Sequence, residues 1–257
     1  MIIDTHAHIN DSVYTDIDRI VGEMHSDNLE KIVCGCADIE GCKSAIKLIN
    51  KYENVYATIG LHPDYADSFN DQIKDFIIES CKHSKVVGIG EIGLDYHDNL
   101  TDKAIQQEVF VEQLKIAHLC NLPILIHVRD AFDDLLKILK QNKQFLTNGG
   151  IIHCFSGSLE LAKEFIKLGF NIAFGGVLTF KNAKKLVEVA QNIPLDKMVV
   201  ETDCPYLCPE PFRGQRNEPK YVNYVVQKLA DLNQMPKKEL ETILLENTYR
   251  VFPKLKN

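Results

Sequence analysis

Ile2-Ile3-Asp4-Thr5-His6-Ala7-His8 opens the chain with apolar residues, a carboxylate and two histidines one residue apart. An apolar run of this kind reads as a buried strand, in which side chains at i and i+2 share a face. His6 and His8 then project together from the strand end with Cβ atoms about 7 Å apart, so both imidazoles can turn onto one divalent ion. A hydrogen-bonded or surface histidine pair has the same spacing, and the motif gains meaning only from the rest of the chain. Five further apolar runs end in similar chemistry. They are Gly60-Leu61-His62-Pro63, Gly88-Ile89-Gly90-Glu91-Ile92-Gly93-Leu94-Asp95-Tyr96, Pro123-Ile124-Leu125-Ile126-His127-Val128-Arg129, Ile151-Ile152-His153-Cys154-Phe155-Ser156-Gly157 and Val199-Val200-Glu201-Thr202-Asp203-Cys204-Pro205.

The apolar, β-branched runs predict strands over 1–5, 31–35, 55–60, 85–90, 123–128, 150–154, 171–175 and 198–202. Amphipathic patterns predict helices over 14–27, 39–51, 69–82, 102–120, 131–145, 158–168, 181–190, 218–231 and 237–249. Eight strands, each followed by a helix, are the pattern of an α/β protein of the (β/α)8 TIM-barrel class. No linker or low-complexity tract interrupts it, so residues 1–257 are expected to form a single barrel. An open doubly wound sheet is the competing arrangement, but a closed ring is what makes so many loaded strand ends converge. Barrel active sites lie at those C-terminal ends, where four histidines and two carboxylates are ligand stock for two divalent metals.

Composition narrows the classes. The 257 residues are 45% hydrophobic and 25% charged, ordinary for a chain that buries a large core. No apolar run approaches the roughly 20 residues that cross a bilayer, and the start lacks a basic, signal-like segment. Eight cysteines without such a signal are expected to be buried or partly buried thiols in a reducing cytoplasm, since Cys34-x-Cys36 and Cys204-x-x-x-Cys208 are not zinc-ribbon spacings. A net charge of −7 repels nucleic acid as a whole, so any polyanion must be met by a local positive site. Gly88-x-Gly90-x-x-Gly93 matches a dinucleotide fingerprint in letters only. Its first two glycines lie in a strand and no helix opens before about Asp102, so they are expected to permit close packing around Glu91.

With these stretches in hand, the chain resembles the TatD-type metal-dependent deoxyribonucleases, within the amidohydrolase-like barrels. Three segments carry the resemblance: Ile2 through Asn10, Pro123 through Ala131, and Met198 through Pro205. Gly90 through Tyr96, His153 through Gly157 and Arg216-Asn217-Glu218-Pro219 agree with it. Met198 stands where the family usually has Leu, a volume-conserving change. The resemblance implies that His6, His8, Glu91, His127, His153 and Asp203 hold two divalent ions (Mg, Mn or Zn). It also implies hydrolysis of DNA phosphodiesters by a metal-activated water.

The chemistry suits those residues. Two ions about 3.5–4 Å apart need a bridging anion, and Glu91 can supply it; related barrels often bridge with a carbamylated lysine, but no lysine lies at the end of the fourth strand. His6, His8 and Asp203 would complete one ion, His127 and His153 the other. Two dications, two carboxylates and a hydroxide leave about one positive charge to attract a phosphate. Asp203 is also placed to accept the proton of the attacking water, so Asp203 and Glu91 are the expected catalytic carboxylates. His62, Arg129, Ser156, Arg213 and Arg216 are candidate substrate contacts. Ser156 has a helix N-cap as its plain alternative, and Arg216 an ion pair with Glu218. His25, His83, His97 and His118 are expected to be solvated.

The resulting expectation is a cytoplasmic deoxyribonuclease, a 3′–5′ exonuclease on single-stranded or frayed DNA, with DNA met locally and no membrane involved. The alternative is a metal-dependent amidohydrolase, esterase or lactonase acting on a small molecule. A binding module with a structural metal fits poorly, since such a site needs no open position for water.

Overall fold

The computed structural model describes residues 1–97 and 100–256. Eight strands, β1 (Ile2–Ala7), β2 (Leu29–Cys34), β3 (Val55–Ile59), β4 (Val86–Asp95), β5 (Ile124–Arg129), β6 (Gly150–Ile152), β7 (Phe170–Phe174) and β8 (Met198–Val200), lie side by side in chain order. Every neighbouring pair is parallel. Just past β8 the seam to β1 closes: Asp203 N donates to His6 O at 3.0 Å and His8 N to Cys204 O at 2.7 Å. Between the strands run α1 (Ile17–Glu23), α2 (Ile39–Lys51), α3 (Asp71–Ser80), α4 (Lys103–Cys120), α5 (Phe132–Gln141), α6 (Leu159–Lys167) and α7 (Lys184–Asn192). The helices α8 (Val222–Leu232) and α9 (Lys237–Val251) follow β8. This is the (β/α)8 barrel.

Two apolar layers hold it together. Every strand contributes a buried residue to the inner one: Ile3, Val33, Tyr56, Val87, Leu125, Ile151, Ala173 and Val199. Val251, Phe252 and Leu255 pack against these from the C-terminal end of the chain and stop the lower mouth. The outer layer is the shell between strands and helices, into which α2 sends Cys42, Ala45, Leu48 and Ile49 at helical spacing. Side-chain caps begin several helices: Asp38, Asn70, Asp102 and Ser158 each accept a hydrogen bond from a backbone N–H in the first turn.

The elements depart from the sequence expectation where the mouth is built. β4 runs on to Asp95 rather than stopping at 90. After a register break between Ile89 and Ile92 it resumes pairing with β5, Gly93 opposite His127 and Asp95 opposite Arg129. A side chain at Gly93, whose φ is +150°, would meet His127 O at 1.9 Å, so only glycine lets the strand continue there. β6 and β8 are shorter than expected because the chain turns at once: Cys154 has φ +43° and Asp203 φ +55°. In β1, Ile3 faces the barrel interior and so do His6 and His8; the register shift between Asp4 and Ala7 accommodates that change of phase.

Candidate metal centre

The upper ends of β1, β4, β5, β6 and β8 bring His6, His8, Glu91, His127, His153 and Asp203 together; all but the fully buried His6 line a cavity of about 890 Å³. Glu91 lies at its floor, almost fully buried, with its two oxygens facing opposite ways. Oε1 is 2.8 Å from His127 Nδ1 and 2.9 Å from His153 Nε2. Oε2 is 3.4 Å from His6 Nε2 and 3.7 Å from His8 Nε2. Asp203 Oδ1 completes that second group, 3.6 Å from His6 Nε2 and 3.5 Å from His8 Nε2.

These separations test whether an ion fits. Donors about 2.1 Å from one metal are roughly 3.0 Å apart at a right angle and about 3.6 Å apart at 120°. The His6 and His8 Nε2 atoms are 3.0 Å apart, and the four-donor group spans 3.0–3.7 Å. In the other group His127 Nδ1 and His153 Nε2 are 3.4 Å apart. Nitrogen and carboxylate donors in these triangles suit a divalent ion of the zinc, manganese or magnesium kind, and His6 with His8 and Asp203, or with Glu91 and His153, holds ligand atoms within 4.8 Å of one another.

Neighbours fix the donors. His6 fits because Gly35 at the end of β2 has no side chain; a Cβ there would meet the imidazole at 2.3 Å. His127 turns Nε2 to Asp95 Oδ2 at 3.0 Å, leaving Nδ1 for Glu91, and Gln106 of α4 pins the Asp95 backbone through both its amide atoms. His153 Nδ1 lies 3.4 Å from Glu201 Oε1, which also accepts from Cys154 N. Asp4 accepts from the backbone N–H groups of His6 and Thr202, tying β1 to β8 beside the donors; burial pushes its carboxyl up to about 8.

Charge is strongly coupled here. Burial alone would push Glu91 up, but His153 and the hydrogen bonds of His127 and His153 hold it well below the usual carboxylate range. Burial likewise opposes the charged form of His153, yet the facing Glu91 and Glu201 raise it well above the ordinary histidine value. His6 is lowered, first by burial and then by His153. Asp203 is lowered despite burial by its hydrogen bond to His8 and by His153. Glu91 and Asp203 are therefore anionic acceptors at neutral pH.

The other sequence candidates separate into two sets. His62, Arg129 and Ser156 line the cavity. His62 Nδ1 accepts from Asp64 N, which leaves Nε2–H directed inward, 3.8 Å from Glu91 Oε1. Ser156 is exposed, and Ser158 rather than Ser156 caps α6. Arg213 and Arg216 are not brought to the cavity. Arg216 is committed to Asp16 at 2.9 Å and Glu218 at 2.7 Å, clamping the loop after β8 onto α1, and Arg213 lies over the Phe180 ring at 4.2 Å. Asp95 and Glu201 are the residues that sequence reasoning passed over. Their signal was the strand period: Asp95 is four residues beyond Glu91 and Glu201 two before Asp203, each on the face of a residue already singled out. All eight cysteines are free, and no helix among the described residues is long and apolar enough to cross a membrane.

A family model described as TatD related DNase matches residues 3–253. The chain belongs to the TatD-related family. It is 46% identical to YabD of Bacillus subtilis over 253 residues, 98% of this chain and 99% of that one; YabD is described as an uncharacterized metal-dependent hydrolase. YcfH of Escherichia coli, described in the same terms, is 33% identical over 98% of this chain and 95% of its own length. The crystal structure of YjjV, a TatD homologue from Escherichia coli, superposes with a TM-score of 0.92 at 32% identity, covering 98% of both chains. The protein is a TatD-family metal-dependent hydrolase, and its histidine and carboxylate clusters are suited to divalent ions.

Proposed function

We propose that this hydrolase cleaves phosphodiester bonds in DNA, as a 3′–5′ exonuclease on single-stranded or frayed ends, with two divalent ions bridged by Glu91. The observation that carries the reading is the division of the Glu91 carboxylate, Oε1 toward His127 and His153 and Oε2 toward His6 and His8. His6, His8, Asp203 and Glu91 would hold one ion, and His127, His153 and Glu91 the other. Ions held there would supply an acidified water and offset charge developing on phosphoryl oxygens. Asp203, anionic and at the cavity wall, accepts the proton of the attacking water; its backbone is held by the hydrogen bond from its N–H to His6 O. His62 Nε2–H and Arg129 face the same space and are the donors for phosphate oxygens or the departing oxygen.

The family description supports a nuclease, and the cavity favours strand ends over long duplex. Arg129 is the one lysine or arginine among its described lining residues, so few phosphates are gripped at once. The same scarcity of cations favours a second reading, hydrolysis of a small ester, amide or lactone. The test incubates metal-reconstituted protein with end-labelled linear single-stranded DNA, a closed circle of the same sequence, RNA and small esters. Cleavage of the linear strand alone is expected. Equal cleavage of the circle rejects end-dependence, and brisk ester hydrolysis without DNA cleavage rejects the nuclease.

A further inference from the structure

Large exposed aromatic rings are scarce on this molecule: among the described residues Tyr65, Tyr206 and Tyr224 are the exposed ones. Two of the three, Tyr65 at 43% and Tyr206 at 56% exposure, line the wall of the metal cavity, with the exposed Leu207 beside them. Each follows a site residue by three positions and is fastened to it through the backbone. Tyr206 N donates to Asp203 O at 3.0 Å, and Tyr206 O accepts from Asn217 Nδ2 at 2.6 Å. Tyr65 N donates to His62 O at 3.0 Å, and its carbonyl accepts from Ser68 Oγ. The Tyr206 ring centroid lies 6.2 Å from that of His8. Burial, with Asp11, Asp203 and Tyr65 nearby, pushes the Tyr206 hydroxyl up, so it stays a neutral phenol.

The rest of the mouth is poor in means of holding a polyanion. Beyond the donor set it carries Asp11, Asp38, Asp64 and Asp95, against Arg129 as its one lysine or arginine among the described lining residues. Affinity for a nucleotide chain therefore has to come from something other than charge. The exposed rings of Tyr65 and Tyr206 on the cavity wall supply it by stacking, which tolerates any base and needs that base unpaired.

Resting on the phosphodiesterase reading above, we propose that Tyr206 and Tyr65 form a stacking subsite for the base of one unpaired nucleotide beside the metal centre. The phosphate then lies toward Arg129, His62 and Ser156, the base toward the tyrosines, and a paired base is excluded because its faces are already stacked in the duplex.

The test measures binding, so that it does not depend on turnover. Metal-reconstituted protein is titrated calorimetrically with thymidine 5′-monophosphate and with 2-deoxyribose 5-phosphate, which lacks the base. The wild-type protein is expected to prefer the nucleotide by roughly 5- to 150-fold. Tyr206→Ala removes most of that preference, Tyr65→Ala a smaller part, and Tyr206→Phe or Tyr206→Trp restores it. A general packing role would not produce rescue by any flat ring together with loss confined to the base-bearing ligand. Equal affinity of the wild-type protein for both ligands, or a preference that both alanine variants retain, overturns the subsite. If Tyr206→Ala does not fold, Tyr206→Leu keeps the bulk without the ring and decides the same point. A tyrosine-dependent nucleotide preference without any diester cleavage leaves the subsite standing and removes the phosphodiesterase reading. Cleavage without preference does the reverse.

Discussion

At the lower end of the barrel three lysines donate to backbone carbonyls. Lys31 Nζ donates to Leu255 O and Tyr249 OH, Lys85 Nζ to the carbonyls of Ile49 and Tyr52, and Lys254 Nζ to Val86 O. Tyr249 OH donates to Glu30, and Lys31 and Lys85 both lie near the Tyr56 ring. The upper end is built of ionisable groups left facing one another. Glu91 and Asp203 accept from crowded histidines, and His6 Nδ1, Asp64 Oδ1 and Glu201 Oε2 are buried without a hydrogen-bond partner. A satisfied cation at an end of the barrel adds stability; an under-satisfied cluster of donors is a place for something else to bind. Both ends have a cavity, about 560 Å³ below and 890 Å³ above, so concavity alone does not tell them apart.

The comparison breaks most sharply at Glu91. On the proposed two-ion reading, Glu91→Ala is expected to lower bound metal from two ions to below one and activity by about 10⁴-fold or more, the several kcal/mol that the ions would supply. Elemental analysis after dialysis checks it, and His153→Ala should lose chiefly one ion. Retention of both ions by Glu91→Ala would sink the bridge. Next comes Asp203→Asn, which keeps shape but removes the base. A kcat loss of order 10²–10⁴-fold is expected with metal still bound, and near-normal turnover would refute the role.

Positioning groups should have intermediate effects. Gly35→Ala drives a methyl into the His6 ring, and Asp95→Asn loosens His127; each is expected to weaken metal binding by about 10- to 100-fold while far-ultraviolet circular dichroism stays native. Lys31→Met sharpens the contrast from below. It should cost about 1–3 kcal/mol of stability in urea unfolding, since it strips a charged donor from the carbonyl of the buried Leu255, and leave kcat/KM alone. A fall in kcat/KM would mean that the two ends are coupled.

The smallest effect belongs to the surface clamp. Hydrogen bonds from Arg216 and then Arg19 hold Asp16 below the usual carboxylate range. Its contribution is thus present above the unfolded-state value of about 3.9 and is lost as pH falls through the lower folded value. Asp16→Asn should lower stability by about 0.5–1 kcal/mol at pH 7, a gap that narrows below pH 3. A gap independent of pH would assign the effect to packing.

The sequence by itself determined the eight-strand rhythm, since each barrel strand is buried on both faces and so writes a short apolar run. It also placed acids and histidines directly after such runs, and the resemblance to the TatD-type enzymes singled out His6, His8, Glu91, His127, His153 and Asp203 among them. Tertiary structure decided the rest. β4 continues to Asp95 only because Gly93 can approach the His127 carbonyl, a contact between residues distant in the chain. Asp95 and Glu201 join the site by orienting His127 and His153; the strand period puts them near residues already singled out, but which histidine each one meets is set by the neighbouring strands. Arg213 and Arg216 look like phosphate ligands in a loop after the last strand. The fold gives them nearer partners, Phe180 for one and Asp16 with Glu218 for the other, because an arginine settles on whichever carboxylate or ring the folded chain brings within reach. Tyr65 and Tyr206 are unremarkable letters in sequence, and only the closing of the barrel sets their rings on one wall.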